Sequence, residues 1–222
     1  MLEQLKKDVC EIAKRAQKDG LCKHKAGNFS ARDLESGYVV ITPAGVNREL
    51  LTYEDMVVID MNANVIENLS NLKPTSETLM HLKIYETVED ATAIAHTHSM
   101  YATTFAVLNK PLPSIVYEVA TMGLSKARVP VAPYGRPGTP ELANNCVEAI
   151  KEAQCFLMES HGAVAYDKVN IYEAFLKANY IEELAQLYFN ALTVSQGKEP
   201  NALPLTELEL WEYPKEINLN KK

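Results

Sequence analysis

The amino-terminal part of the chain shows one helical pattern followed by short strand-like patterns. Apolar residues recur at helical spacing from Leu2 to Ala16, and Gly20 then provides a natural stop, so the spacing predicts an amphipathic helix. Three short apolar runs follow between turn residues, at 27–30, 37–41 and 56–59, and each predicts a strand. A sheet is therefore expected directly after the first helix.

Helices and strands are mixed in the rest of the chain. Helical spacing is found at residues 75–88, 99–108, 140–153 and 170–192. Strand-like runs are found at residues 91–95, 155–158 and 162–166. The segment 110–138 is rich in proline and glycine, which predicts a long loop with a strand near 128–131. A short helical piece with Trp211 and Tyr213 is expected near the end.

The lengths of the connections indicate the fold class. Many are too short for the crossover helices that parallel strands need, so the sheet is expected to be mainly antiparallel with helices layered around it. The chain has 222 residues, which we interpret as a single α/β domain spanning 1–222.

Composition and charge narrow the range of partners. Hydrophobic residues make up 47% of the chain and charged residues 23%, which is typical of a globular protein with a sizeable core. The net charge of −7, without a cluster of Lys and Arg, argues against nucleic acid or an anionic membrane as the main partner. An anionic substrate would then have to be bound by local donors.

Cysteine usage and the chain ends predict a cytoplasmic protein. The four cysteines have no C-x-x-C spacing, so we expect reduced, packed thiols and neither disulfides nor a thiolate metal site. The first residues are charged and do not resemble a signal peptide, and no apolar run approaches the roughly 20 residues that span a membrane.

Histidines provide the strongest chemical signal. Alternate residues of a strand point to the same side, so His96 and His98 at the end of a predicted strand can chelate one ion. His161, in a turn between two predicted strands, can supply a third nitrogen, as a catalytic zinc site requires. The alternative is that the pair are ordinary surface or core histidines. For His24 and His81 we favour solvation or packing over ligation.

Three further segments allow two interpretations each. Pro74-Thr75-Ser76-Glu77 can be a simple helix start, or a phosphate site at a helix amino terminus with Glu77 as general base. The segments 27–30 (Gly-Asn-Phe-Ser) and 42–45 (Thr-Pro-Ala-Gly) can be plain turns, or anion-binding loops that act without a fixed positive charge.

The order of these motifs resembles the class II aldolase and ribulose-phosphate epimerase family. Gly27-Asn28-x-Ser30, Thr42-Pro43-x-Gly45, Thr75-Ser76-Glu77, His96-x-His98 and His161-Gly162 follow one another as in that family, over about residues 8–195. The resemblance implies a three-layer α/β/α fold around a mainly antiparallel sheet, and a zinc ion (Zn2+) held by His96, His98 and His161.

The resemblance also implies roles for individual residues. Glu77 is typical of the aldolases, whereas the epimerases carry Asp; it is expected to act as the base and to ligate zinc in the resting enzyme. Tyr117 resembles the tyrosine that acts as acid in fuculose-phosphate aldolases, and Tyr213 is the best match for a second tyrosine from the tail. Phosphate is expected to contact Gly27, Asn28, Ala44, Gly45, Thr75 and Ser76.

Assembly and substrate follow from the same resemblance. Members of the family are homotetramers with active sites between subunits, and fuculose 1-phosphate is the expected substrate, cleaved to dihydroxyacetone phosphate and lactaldehyde. Ala44 departs from the usual Ser or Thr, which removes one hydroxyl donor and leaves the substrate open. Alternatives are a 5-deoxyribulose- or rhamnulose-phosphate aldolase, a methylthioribulose-phosphate dehydratase, a ribulose-phosphate 4-epimerase, or a non-enzymatic domain like the head of adducin.

Overall fold

The computed structural model describes residues 2–210 of the chain. In this part the helices are α1 (Glu3–Lys18), α2 (Thr78–Thr87), α3 (Met100–Val107), α4 (Pro140–Asn145), α5 (Val147–Glu152), α6 (Ile171–Val194) and α7 (Leu205–Glu209). The strands are β1 (Asn28–Arg32), β2 (Val39–Ile41), β3 (Val57–Ile59), β4 (Val65–Glu67), β5 (Ala93–Thr97), β6 (Leu112–Pro113), β7 (Arg128–Val129), β8 (Val131–Ala132), β9 (Cys155–Met158) and β10 (Gly162–Asp167).

Eight of these strands form one sheet in the order β4-β3-β2-β1-β5-β10-β9-β8. Every neighbouring pair is antiparallel except β8 and β9, which are parallel. β6 and β7 form a separate antiparallel pair. The predicted mainly antiparallel sheet is therefore confirmed, and the candidate site lies at its central strands β1, β5 and β10.

Two hydrophobic cores receive alternate residues of the strands, because successive side chains of a strand point to opposite faces of the sheet. Strand β9 illustrates this: Leu157 packs in a core with residues of α1, α3 and α6, whereas Phe156 packs in a core with residues of α2, α4 and α5. Both side chains are fully buried. The apolar runs of the sequence are thus explained by burial on both faces of these strands.

Two of the predicted helices differ from the observed ones. The helix predicted from residue 75 begins at Thr78, because the preceding backbone pairs with the 42–44 turn: Ala44 N donates to Lys73 O over 2.8 Å and Thr75 N to Thr42 O over 3.0 Å. The helix predicted at 140–153 is divided into α4 and α5 at Cys146, whose ψ of −19° tightens the turn. The other predicted helices before residue 200 are found within a few residues of their expected bounds.

The four cysteines are packed thiols, as expected from their spacing. All four cysteines are free and buried, and burial raises the pKa of the Cys155 thiol to about 12. The thiols therefore behave as small packed apolar groups. Within residues 2–210, no helix has both the length and the apolar character needed to cross a membrane.

Candidate active site

Strand β5 brings two imidazoles to one end of the sheet. His96 lies within the strand, directly opposite Asn28 of β1 on one side and Val164 of β10 on the other. His98 follows one residue after the strand ends and is fixed by its backbone N–H, which donates to Leu21 O over 3.1 Å. The two ring centroids are 4.7 Å apart, so the predicted His-x-His pair does face one point.

A turn between β9 and β10 supplies the third imidazole. Ser160 adopts a left-handed conformation (φ 55°), and its N–H donates to Ala106 O of α3 over 3.1 Å. This turn directs His161 toward the other two rings, with centroid distances of 4.9 Å to His96 and 4.9 Å to His98. The next residue, Gly162, lies so close to β5 that a Cβ there would be 2.4 Å from Thr97 O.

Glu77 adds a carboxylate to the three rings from the amino-terminal end of α2. Its Oε2 lies 3.1 Å from His96 Nε2 and its Oε1 lies 3.2 Å from His161 Nε2. One ligand atom from each of Glu77, His96, His98 and His161 lies within 4.8 Å of all the others. We call these four residues the histidine–glutamate cluster.

The hydrogen bonds of the histidine–glutamate cluster fit a metal ion. His96 Nδ1 lies 2.9 Å from Ala163 O, and because a carbonyl only accepts, Nδ1 must donate. In a neutral ring this leaves a lone pair on Nε2, which lies 2.9 Å from His98 Nε2. Glu77 Oε1 is buried and accepts no hydrogen bond within residues 2–210. A cation would satisfy these converging lone pairs. The bond from His96 Nδ1 to the Ala163 carbonyl is also typical of a histidine that binds a metal through its other ring nitrogen.

The titration behaviour of the cluster favours metal binding as well. Burial, with a further contribution from His96, lowers the pKa of His98 to about 3 and that of His161 to about 4, so both rings are neutral at neutral pH. Burial alone would raise the pKa of Glu77, but the His96 and His161 imidazoles and the Asn28 amide outweigh it and keep that pKa well below its usual range. Neutral imidazoles and an ionised carboxylate are the ligand forms that metals require.

A pocket of about 290 Å³ opens beside the cluster. Glu77, His98 and His161 form one wall, while His96 is fully buried beneath them. The remaining lining residues are Lys25, Ala26, Gly27, Asn28, Pro43, Ala44, Gly45, Thr75, Ser76 and Pro137. The pocket therefore contains every residue that the sequence predicted to contact substrate phosphate.

The backbone conformation requires glycine at two positions of this pocket, and backbone hydrogen bonds occupy two of its amide donors. Gly27 and Gly45 have φ of +80° and +72°, and a Cβ on Gly27 would be 2.7 Å from His96 O. Thr75 and Ser76 precede α2, whose N-cap residue is Glu77. The Glu77 side chain makes no capping bond, and the Glu77 N–H donates to Thr75 Oγ1 over 3.4 Å. Because the amides of Ala44 and Thr75 are used within the protein, the two hydroxyls of Thr75 and Ser76 are the better donors for an anion.

Two cations near the pocket were not expected from the sequence. Lys25 lines it, and Arg48, only 5% exposed, lies behind the loop that carries Gly27. The Arg48 guanidinium donates to the carbonyls of His24 (3.3 Å), Ala26 (2.6 Å) and Gly27. Lys25 therefore brings a positive charge to a pocket that was expected from the sequence to have none. The basic run 23–25 beside Gly27 was a usable signal for Lys25, whereas nothing in the sequence marked Arg48.

Tyr117 is not among the described residues that line this pocket in the single chain. Tyr117 begins a 3-10 turn (Tyr117–Met122), is 55% exposed and does not line the pocket. Tyr213 lies outside the described residues. His24 and His81 do not belong to the histidine–glutamate cluster, as expected, although fully buried His81 bonds to Asn28 beside it.

Comparison with known proteins identifies the family of the chain. The family described as "Class II Aldolase and Adducin N-terminal domain" matches residues 7–189. A 5-deoxy-D-ribulose 1-phosphate aldolase of Bacillus thuringiensis is 35% identical over 209 residues, covering 94% of each protein. The L-fuculose phosphate aldolase of Escherichia coli K12 is 33% identical over 192 residues, covering 86% of each.

A solved structure of an aldolase has the same fold as this chain. An L-fuculose 1-phosphate aldolase superposes with a TM-score of 0.86 at 36% identity, covering 93% of both chains. The resemblance inferred from the five motifs is thereby confirmed, and with it the assignment to the metal-dependent aldolases. This chain belongs to the class II aldolase and adducin N-terminal domain family.

Proposed function

We propose that this protein cleaves a ketose 1-phosphate reversibly to dihydroxyacetone phosphate and a small aldehyde, with L-fuculose 1-phosphate and L-lactaldehyde as the first candidates. The observation that carries the proposal is the pocket in which the histidine–glutamate cluster meets the predicted phosphate contacts. The similarity to L-fuculose phosphate aldolases supports the choice of sugar.

Zinc is the proposed metal. The three imidazole nitrogens of the cluster suit zinc better than magnesium or calcium, which prefer oxygen ligands, and zinc also accepts the carboxylate oxygen of Glu77. When bound by His96, His98 and His161, the ion would supply a Lewis acid that polarises the substrate's carbonyl group. In this proposal Glu77 is the fourth ligand while no substrate is bound. It would move away when substrate binds, so that the substrate oxygens can take its position.

Glu77 is proposed to move the proton at the reacting carbon. In the condensation direction its ionised carboxylate takes a proton from C3 of dihydroxyacetone phosphate, and in the cleavage direction the same carboxyl group returns a proton to that carbon. The position at the pocket wall supports this role, because the carboxylate faces the space that substrate would occupy.

Phosphate is proposed to bind in the part of the pocket beside the histidine–glutamate cluster. Asn28, Gly27, Ala44 and Gly45 surround that part of the pocket, and the hydroxyls of Thr75 and Ser76 donate to the phosphate oxygens. Lys25 adds a positive charge at the wall, which favours a dianion despite the protein's negative net charge. The phosphate is thereby held a fixed distance from the histidine–glutamate cluster.

The remaining parts of the catalytic machinery are proposed to come from a neighbouring subunit. Tyr117 is exposed and does not line the pocket of its own chain, which supports a homotetramer in which it serves a neighbour's site. There it takes the proton of the hydroxyl group that becomes the aldehyde during cleavage, and it returns that proton to the aldehyde oxygen during condensation. Tyr213 is proposed to shape that same site. We place the enzyme in the cytoplasm.

The arrangement of layers belongs to the same proposal. One core contains residues of α1, α3 and α6 and the other contains residues of α2, α4 and α5. This supports a three-layer α/β/α arrangement in a single domain spanning 1–222.

A coupled assay tests the proposed reaction. Zinc-loaded protein is incubated with L-fuculose 1-phosphate, and dihydroxyacetone phosphate is detected by its reduction with NADH. Release that depends on metal and is lost in Glu77→Gln supports the proposal, and a ribulose-phosphate 4-epimerase would give no dihydroxyacetone phosphate. No release from any ketose 1-phosphate, in protein that binds no zinc, would identify a non-enzymatic domain instead.

A second substrate has a specific observation in its favour. The B. thuringiensis relative that acts on 5-deoxy-D-ribulose 1-phosphate covers 94% of this chain. The two sugar phosphates should therefore be compared side by side in the same assay, and the larger kcat/KM decides between them. Both would use the same cluster and the same phosphate contacts.

A further inference from the structure

A series of hydrogen-bonded, buried side chains connects Glu77 with the hydrophobic core that contains residues of α2, α4 and α5. Asn28 Nδ2 donates to Glu77 Oε2 over 2.7 Å, and Asn28 Oδ1 lies 2.5 Å from His81 Nε2. His81 Nδ1 lies 2.6 Å from Ser30 Oγ, which lies 2.8 Å from the hydroxyl of Tyr85. His81 and Ser30 are 0% exposed, Asn28 is 5% exposed and Tyr85 1% exposed. None of these groups can exchange its partner for water without a rearrangement of the core.

The chemistry of the donors fixes the direction of every bond in this series. An ionised carboxylate can only accept, so the Asn28 amide must turn its NH2 toward Glu77 and its oxygen toward His81. His81 must then donate from Nε2, and Nδ1 of the neutral ring must accept from the Ser30 hydroxyl. Ser30 in turn accepts from Tyr85. A single orientation therefore satisfies all five groups.

The backbone of α2 and the side chains of β1 hold His81 in place beside the histidine–glutamate cluster. It lies on α2 one helical turn after Glu77, and its N–H donates to Glu77 O over 3.3 Å. Asn28 and Ser30 are alternate residues of β1 and face α2 together, and Asn28 is also the strand neighbour of His96. His81 thus connects the helix that carries Glu77 with the strand beside His96.

We propose that His81 is a positioning residue, whose Nε2–H fixes the orientation of the Asn28 amide and thereby directs the Glu77 carboxylate toward the three metal-binding imidazoles. If that donor is lost, the amide can rotate and place its oxygen against the carboxylate, which repels it. The consequence for metal affinity follows from the cluster geometry alone, whereas the consequence for turnover rests on the proposed aldolase function.

The tautomer of His81 provides the first test. In 15N-labelled full-length protein, the ring nitrogen shifts and one-bond N–H couplings report which nitrogen carries the proton. The proposal requires a neutral ring protonated at Nε2, both before and after zinc is added. A ring protonated at Nδ1 overturns it, whatever the enzyme's substrate proves to be.

Zinc affinity provides the second test, measured by competition with a chromogenic chelator. Outer-shell partners typically change metal affinity by about 10–100-fold, so His81→Leu should bind zinc at least about tenfold more weakly than wild type. His81→Gln keeps an N–H near the position of Nε2 and should stay within about threefold. Equal losses in the two variants overturn the positioning role.

A matched variant separates positioning from simple destabilisation. Ile84→Val lies on the same face of α2, is 0% exposed and removes only a methylene group. It should lower the thermal unfolding temperature without changing zinc affinity, and parallel losses of both in Ile84→Val would contradict the proposal. With substrate, kcat should fall in His81→Leu and recover in His81→Gln while KM changes little. Absence of turnover in wild type would refute the aldolase proposal and leave the zinc comparison decisive for His81.

Discussion

Replacing Gly162 by alanine tests whether the contact between β10 and β5 sets the geometry of the imidazoles. The new Cβ would be 2.4 Å from Thr97 O, 3.3 Å from His96 Cε1 and 3.4 Å from His98 Cδ2. A relaxed carbon–oxygen contact is about 3.3 Å, so the two backbones would have to separate locally by about 0.9 Å. Neither backbone can give way cheaply, because Ala163 is paired with Thr97 in the ladder.

The expected magnitude follows from this overlap. Overpacking of a core costs about 1–3 kcal/mol, and a clash with a strand backbone belongs at the upper end of that range. In a chain of this size, such a loss lowers the unfolding temperature of the metal-free protein by about 5–10 °C. Zinc affinity should fall at least about tenfold, because His96 and His98 lie on the displaced strand and its immediate continuation.

A glycine at the other end of β1 from Asn28 provides the control. Gly37 lies in the turn between β1 and β2 with φ +73°, and no atom of the described residues comes within 4 Å of its Cβ position, so Gly37→Ala costs about 1–2 kcal/mol of backbone strain without a clash. The assay compares thermal unfolding without metal and zinc affinity by chelator competition in both variants. If Gly162→Ala binds zinc as tightly as Gly37→Ala does, the strand contact does not set the ring geometry and the reasoning is refuted.

Three further predictions address the base, the loop and the buried histidine. Glu77→Gln should slow exchange of the C3 proton of dihydroxyacetone phosphate at least about 100-fold with zinc bound, and unchanged exchange measured by NMR would reject its role as base. Arg48→Met removes three hydrogen bonds to loop carbonyls and should destabilise the protein by about 2–3 kcal/mol in denaturant unfolding. In steady-state kinetics the same variant should raise KM more than it lowers kcat, because the loop beside the pocket loses its support. Burial lowers the pKa of His81 to about 3 from an unfolded value near 6.5, so the unfolded state binds more protons and stability falls as pH drops below 6.5. Between pH 7 and pH 5, wild type should lose about 2 kcal/mol more than His81→Leu, and equal losses in denaturant titrations would contradict this.

Local patterns were sufficient to predict most of the fold. Apolar spacing identified α1, α3 and α6 because each buries a continuous face, and short apolar runs identified the central strands because both faces of the sheet are covered. The start of α2 was misplaced, since the pairing of residues 73–75 with the 42–44 turn is a tertiary contact without a local signal. The division at Cys146 was also not predictable, because it is a change in one dihedral angle inside a helical pattern.

The metal-binding residues of the site were predictable from sequence motifs, whereas residues that act through contacts made by folding were not. The spacing of His96 and His98 on one strand was enough to indicate a shared ligand position. Arg48 gave no signal, because its role depends on three carbonyls brought beside it by folding. His81 was interpreted as a packed residue, which is correct for its burial but missed its bond to Asn28, 53 residues away along the chain.

The most direct test of the central claim is the position of the metal. Crystals of the zinc-loaded protein, measured at the zinc absorption edge, should show one strong anomalous peak per chain with Nε2 of His96, His98 and His161 about 2.0–2.1 Å away and Glu77 completing the coordination. A peak elsewhere, or zinc-loaded protein in which the three rings bind no ion, would contradict the account.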